Sequence, residues 1–151
     1  MNTKSLYIYI IASILTFSIC SCKEEIVSTE NPIPNIQFVS ISSNKLKQFS
    51  DSLVVTLKYK DGDGDLGDIS ADSFSIYVRD NRLNKPDYLH LFPLSPIGNR
   101  ISIEGVLNLK IKNIFLLSSG PSETTKFEIK LKDRSKNWSN IIFTPNIEII
   151  R

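Results

Sequence analysis

Thr125-Lys126-Phe127-Glu128-Ile129-Lys130-Leu131-Lys132 alternates without a break, with Phe127, Ile129 and Leu131 on one side and Lys126, Glu128, Lys130 and Lys132 on the other. A side-chain period of two over eight residues fits a half-buried β-strand, apolar face inward and charged face in water. The same pattern recurs on both sides of it in the chain. Leu53, Val55, Leu57 and Tyr59 oppose Val54, Thr56 and Lys58, while Phe74, Ile76 and Val78 oppose Ser75, Tyr77 and Arg79. Ile36, Phe38 and Ser40 alternate with Gln37, Val39 and Ile41. Tyr88 to Phe92, Arg100 to Val106 and Ile141 to Ile150 are further strands, and Pro145 marks the last as an edge or bulged strand because proline cannot donate to a ladder.

Turn-forming clusters separate these runs: Ser42 to Asn44, Asp61 to Gly67, Asn81 to Asp87, Ser95 to Asn99, Ser118 to Ser122 and Asp133 to Asn140. Leu107 to Leu117 reads two ways. Leu107, Ile111, Ile114 and Phe115 have helical spacing, yet Leu107, Leu109 and Ile111 also alternate with Asn108, Lys110 and Lys112. About seven short strands with frequent turns predict an all-β chain, an antiparallel β-sandwich of immunoglobulin or fibronectin type. No internal repeat is present.

The N-terminus has a different composition. Lys4 precedes an apolar run, Leu6 to Ile19, and Ile19-Cys20-Ser21-Cys22 closes it. A basic start, an apolar centre and a small-residue exit make a signal peptide, and the run is shorter than the roughly 20 apolar residues a spanning helix needs. Its end resembles the lipobox of bacterial lipoproteins, which implies cleavage after Ser21 and a diacylglycerol thioether on Cys22. The expected organisation is a signal peptide over 1–21, a lipidated N-terminus and linker over 22–34 and the sandwich over 35–151. With Cys20 removed and Cys22 acylated, neither of the chain's two cysteines remains for a disulfide, so the domain folds on its core alone. Lys23-Glu24-Glu25 is charged, and Asn31-Pro32-Ile33-Pro34 favours extended backbone. Acidic residues just after the lipidated cysteine resemble the surface-export signal of Bacteroidetes lipoproteins, so the expected location is the outer membrane, lipid-anchored and facing outward.

With 18 basic and 16 acidic side chains and a formal net charge of +2, the chain offers no electrostatic case for nucleic acid. His90 is the single histidine, which argues against a zinc site built from several His and Cys. No Gly-x-Ser-x-Gly elbow is present, and the chain is read as non-catalytic.

The motif with most chemistry is Lys60-Asp61-Gly62-Asp63-Gly64-Asp65-Leu66-Gly67-Asp68, directly after a strand. Asp61, Asp63, Asp65 and Asp68 repel one another unless something neutralises them. Ca²⁺ takes six to eight oxygen ligands and suits such a loop. Asp61, Asp63 and Asp65 match the first three ligand positions of an EF-hand, with Asp72 at the twelfth, but Leu66 stands where that loop needs glycine and the flanks are strands. A calcium-binding Asp-Gly turn is therefore the functional form, and a plain tight turn, for which Asp and Gly are common, is the alternative.

This loop, with Arg79-Asp80-Asn81-Arg82 and the stretch Asp133-Arg134-Ser135-Lys136-Asn137-Trp138-Ser139, resembles a family of uncharacterised Bacteroidetes lipoproteins. There the second stretch runs Asp-x-Ala-Gly-Asn-x-Ser; this chain keeps Asp133, Asn137 and Ser139 and carries Ser135-Lys136 in place of Ala-Gly. The resemblance covers about residues 35–150 and implies an Ig-like sandwich on a surface lipoprotein. The resulting expectation is a binding, adhesion or assembly module whose partners are the membrane, through its anchor, and a surface protein or glycan. The alternative is a glycan-binding accessory lipoprotein of an outer-membrane uptake system, contacting sugar through Trp138 and Tyr88. A tryptophan in such a turn also commonly closes one end of a core.

Overall fold

The computed structural model describes residues 30–98 and 100–151. The signal peptide, Cys22 and the first part of the linker lie outside the described residues. Ten strands follow in order: β1 (Asn35–Ile41), β2 (Lys45–Lys47), β3 (Leu53–Asp61), β4 (Phe74–Asp80), β5 (Asp87–His90), β6 (Ile103–Ile111), β7 (Ser122–Thr125), β8 (Phe127–Leu131), β9 (Ile142–Phe143) and β10 (Ile147–Ile150). No helix occurs among the described residues. The segment with two readings, 107–117, is strand over its first five residues and neither strand nor helix over 112–117: β6 takes in Leu107, Leu109 and Ile111 and pairs with β3 from end to end, Leu53 opposite Ile111 and Asp61 opposite Ile103.

The strands form three hydrogen-bonded groups, β1-β3-β6, β5-β4-β8-β9 and β2-β10-β7. The last two meet at a seam. Phe127 N–H donates to Thr144 Oγ1 at 2.9 Å, and Thr144 N–H donates to Phe127 O at 3.0 Å. Ile129 faces Ile142 before the seam and Thr125 faces Ile147 beyond it, so the second partner strand carries one extra residue there. Pro145 lies within that irregularity, as its missing N–H requires. The result is an antiparallel-rich β-sandwich, with β2 alongside β10 as the parallel pair. Seven expected strands become ten because bulges cut long runs in two, and because β2 is too short to show a period.

The alternation read from the sequence is the burial pattern of the core. Leu53, Val55 and Leu57 of β3, Ile129 and Leu131 of β8 and Ile147 and Ile149 of β10 are fully buried. Each such side chain contributes about 1.5–3 kcal/mol on burial. In β1 the register shifts between Phe38 and Ser40, leaving Val39 exposed and turning Ile41 toward the core. One extra residue exchanges the two faces of a strand, so the alternation expected for Ser40 and Ile41 inverts.

Residues 30–34, assigned to the linker, lie against the domain. Pro34 is fully buried, Asn31 O accepts Gly62 N–H at 3.1 Å, and Glu30 pairs with Lys60 at 3.0 Å.

Candidate metal centre

The Asp-Gly segment begins where β3 ends. Asp61, the last residue of β3, is completely buried, and its Oδ2 accepts Leu66 N–H at 3.1 Å. That bond closes the loop on itself. Leu66 is fully buried in the core and anchors the far side of the loop like a plug. Between these anchors the chain adopts a left-handed conformation at Gly64 (φ 68°) and again at Gly67 (φ 81°). A Cβ on Gly64 would collide with Ile101 O, and one on Gly67 with Phe92 O. Both positions therefore require glycine on two counts.

The loop docks on the turn that follows β8. Leu66 and Asp133 form a lone antiparallel bridge, and Arg134 N–H donates to Asp65 O at 3.1 Å. Asp65 Oδ2 accepts both Ser135 N–H (3.0 Å) and Ser135 Oγ–H (2.7 Å). Asp133, almost fully buried, is held by Asn137: its Oδ1 accepts the Asn137 N–H at 2.7 Å and its Oδ2 the Asn137 Nδ2–H at 2.9 Å. Lys136 takes a left-handed φ of 71°.

These two turns bring carboxylates from distant parts of the chain together. One oxygen each from Asp61, Asp65 and Asp133 lie within 4.8 Å of one another, a group that could hold a metal ion. The Oδ1 atoms of Asp61, Asp63 and Asp65 are buried without a hydrogen-bond partner. A buried carboxylate oxygen without a donor is costly, and a cation is one way of satisfying several at once. The acidities reflect this strain. Burial, then the charges of Asp63 and Asp65, push Asp61 up to about 7. Burial and Asp65 raise Asp63. Burial raises Asp133 against the Asn137 hydrogen bonds, with Asp65 and Asp63 adding to the rise. A cleft of about 210 Å³ opens beside the group, lined by Asp63, Asp65, Gly98, Arg100, Arg134 and Ser135. Arg134 directs Nη1 to Gly67 O at 2.9 Å.

Compared with protein-family models, curated proteins and solved structures, the chain matches none. The functional reading rests on the geometry.

Of the four loop aspartates expected to bind metal, Asp61 and Asp65 enter the group of three, and Asp63 contributes an unpartnered oxygen beside it. Asp68 faces elsewhere: its Oδ1 accepts Ser70 N–H at 3.0 Å, and hydrogen bonds from Ser70 and Ser73 hold its carboxyl below the ordinary range. Asp133 is the member missed at the level of sequence. Its signal was its place in the Asp-x-x-x-Asn turn, but only the sandwich topology carries that turn to the Asp-Gly loop.

Trp138 and Tyr88 occupy the outward face of the β5-β4-β8-β9 sheet, joined through Tyr77. Tyr77 meets the Tyr88 ring edge-on at 5.8 Å and the Trp138 ring at 6.2 Å. Lys130 Nζ lies 4.3 Å from the Tyr77 ring centre, and Lys132 Nζ 5.2 Å from that of Trp138. Trp138 is half-buried outside the hydrophobic core and ends a row of aromatic rings on the outward face of the sheet.

Proposed function

We propose that the chain is a non-catalytic, lipid-anchored outer-membrane β-sandwich whose Asp-Gly loop takes up Ca²⁺, pinning that loop to the Asp133 turn so that the module presents a rigid binding or assembly surface. The observation that carries the calcium reading is the convergence of Asp61, Asp65 and Asp133 with three buried carboxylate oxygens that lack donors. Hard carboxylate oxygens without nitrogen or sulfur ligands favour Ca²⁺ or Mg²⁺, and an irregular loop accommodates Ca²⁺ more readily than the strict octahedron of Mg²⁺. Sites in extracellular modules bind with Kd of about 10⁻⁴–10⁻³ M, which suits a domain facing outward. Ten millimolar Ca²⁺ added to chelator-treated protein is expected to raise the melting temperature by roughly 5–10 °C, and Asp63→Asn to remove most of the rise. An unchanged wild-type melting temperature, with no calcium heat by calorimetry, would rule the ion out.

A second reading, a glycan-binding accessory lipoprotein, is favoured by the row Tyr88–Tyr77–Trp138. Tyr88 is exposed and Tyr77 and Trp138 are half-buried; a ring open to solvent can stack on a sugar face, and Lys130 and Lys132, which lie over the Tyr77 and Trp138 rings, suit an acidic saccharide. Binding to a panel of immobilised glycans that Trp138→Ala abolishes would support it; equal binding by wild type and variant would remove it.

A further inference from the structure

The edges of the sheets are protected unequally. β1 carries a bulge, and the Asn140 side chain bonds both backbone groups of Ile36, N–H to Oδ1 at 2.8 Å and Nδ2 to O at 2.9 Å. β5 is four residues long with a register shift, and β2 is three residues long. Each of these is a recognised device against edge-to-edge association. β6 has none of them. It runs nine residues without a bulge or proline, pairs with β3 alone among the described strands, and leaves Val106 58% exposed. Its outer backbone edge meets no other backbone group among the described residues.

We infer that β6 is a homodimerisation edge, pairing antiparallel with β6 of a second copy about a two-fold axis at Leu107. In that register all nine residues overlap. Side chains directly opposite one another share a face in an antiparallel pair. Glu104 therefore meets the Lys110 of the other copy, and Lys110 its Glu104, on the outward face. On the inward face Ile103 meets Ile111, and Leu107 meets itself. One strand thus carries its own complement in charge and in apolar pattern, as a two-fold interface demands. The β1-β3-β6 sheet becomes a continuous six-stranded sheet, and the unguarded edge disappears.

Charge reversal tests the register. The full-length protein in detergent is examined by sedimentation equilibrium, alone and as Glu104→Lys, Lys110→Glu and the double exchange. Wild type is expected to be dimeric at micromolar concentration. Each single reversal sets like charges opposite one another twice and weakens the dimer roughly tenfold; the double exchange restores it. Melting temperatures of the variants report that each is folded, and either single reversal suffices for the reading. A wild type that stays monomeric at about a hundred micromolar overturns the proposal, as does a dimer that neither reversal weakens or that the double exchange fails to restore.

Discussion

Two clusters of buried and half-buried acid stand in this sandwich, and they solve the same problem in opposite ways. At one, Asp80 and Glu123 flank a single guanidinium. Arg82 contacts Asp80 Oδ2 through Nη2 at 2.6 Å and Glu123 Oε2 through Nη1 at 2.5 Å, and its Nη2 also donates to Phe115 O at 3.0 Å. Thr125 Oγ–H, Leu117 N–H and Ser118 N–H supply further donors. Burial works to raise Asp80, but Arg82 and Thr125 outweigh it and hold the carboxyl below its ordinary range. Ser118 and Leu117, with help from Arg82, bring Glu123 down to about 2. At the other cluster, Asp61, Asp63, Asp65 and Asp133 have backbone, hydroxyl and amide donors for some oxygens and no ion pair among the described residues; Asp61 rises to about 7. Arg100 lowers Asp63 only as a minor influence. The first carboxylate cluster carries its own cation; the second leaves carboxylate oxygens without a donor.

Removing the guanidinium makes the first cluster like the second. Arg82→Ala leaves the half-buried Asp80 without its ion pair, and should cost about 3 kcal/mol in chemical denaturation with no gain of calcium dependence, because the remaining groups are too few and are still served by Thr125 Oγ–H and the residue 82 N–H. A variant that acquired a calcium-dependent melting temperature would erase the distinction between the clusters.

pH should separate them next. Asp61 has a folded-state pKa above its unfolded value near 3.9. The folded state then binds more protons between about pH 4 and 7, so stability falls as pH rises through that window. Asp80 and Glu123 are depressed. The unfolded state binds more protons there, so their contribution is present above about pH 4 and is lost as pH falls toward 2. Chelated protein should therefore be most stable near pH 4–5, and Ca²⁺ should recover stability only on the alkaline side, where the carboxylates are ionised. Denaturation series with and without Ca²⁺ check both limbs; a calcium effect of equal size at pH 4 and pH 8 would contradict the assignment.

The smallest expected effect separates neighbours within one loop. Asp68→Asn keeps an acceptor for Ser70 N–H and should change stability by less than about 0.5 kcal/mol, leaving the calcium response intact. Asp133→Asn, at a residue far away in sequence, should diminish it strongly. A loop in which Asp68 mattered more than Asp133 would locate the ion elsewhere, and parallel calcium titrations of the two variants read this directly.

Period-two patterning made the strands legible wherever one face was buried and the other wet, as in Phe127, Ile129 and Leu131. It failed at Ser40 and Ile41, where a bulge exchanges faces, and at β2, which has too few residues for a period. It also left Leu107 to Leu117 ambiguous, since Leu107 and Ile111 suit either period and only pairing with β3 makes the first part of it strand. The Asp-Gly loop was legible as a carboxylate cluster because its charges are adjacent in sequence. Its division of labour was not: Asp68 turns to Ser70, and Asp133 arrives from the far end of the chain.

Local period and local charge density are properties of neighbouring residues, so the all-β class, the alternating core and the crowding of carboxylates at residues 61–68 follow from the sequence alone. The tertiary structure decided which carboxylates meet, which acid cluster receives an arginine, that Trp138 lies on the sheet surface beside Tyr77, and that β6 is left as an unguarded edge. Those depend on strand order and register, which bring together residues that have no relation along the chain.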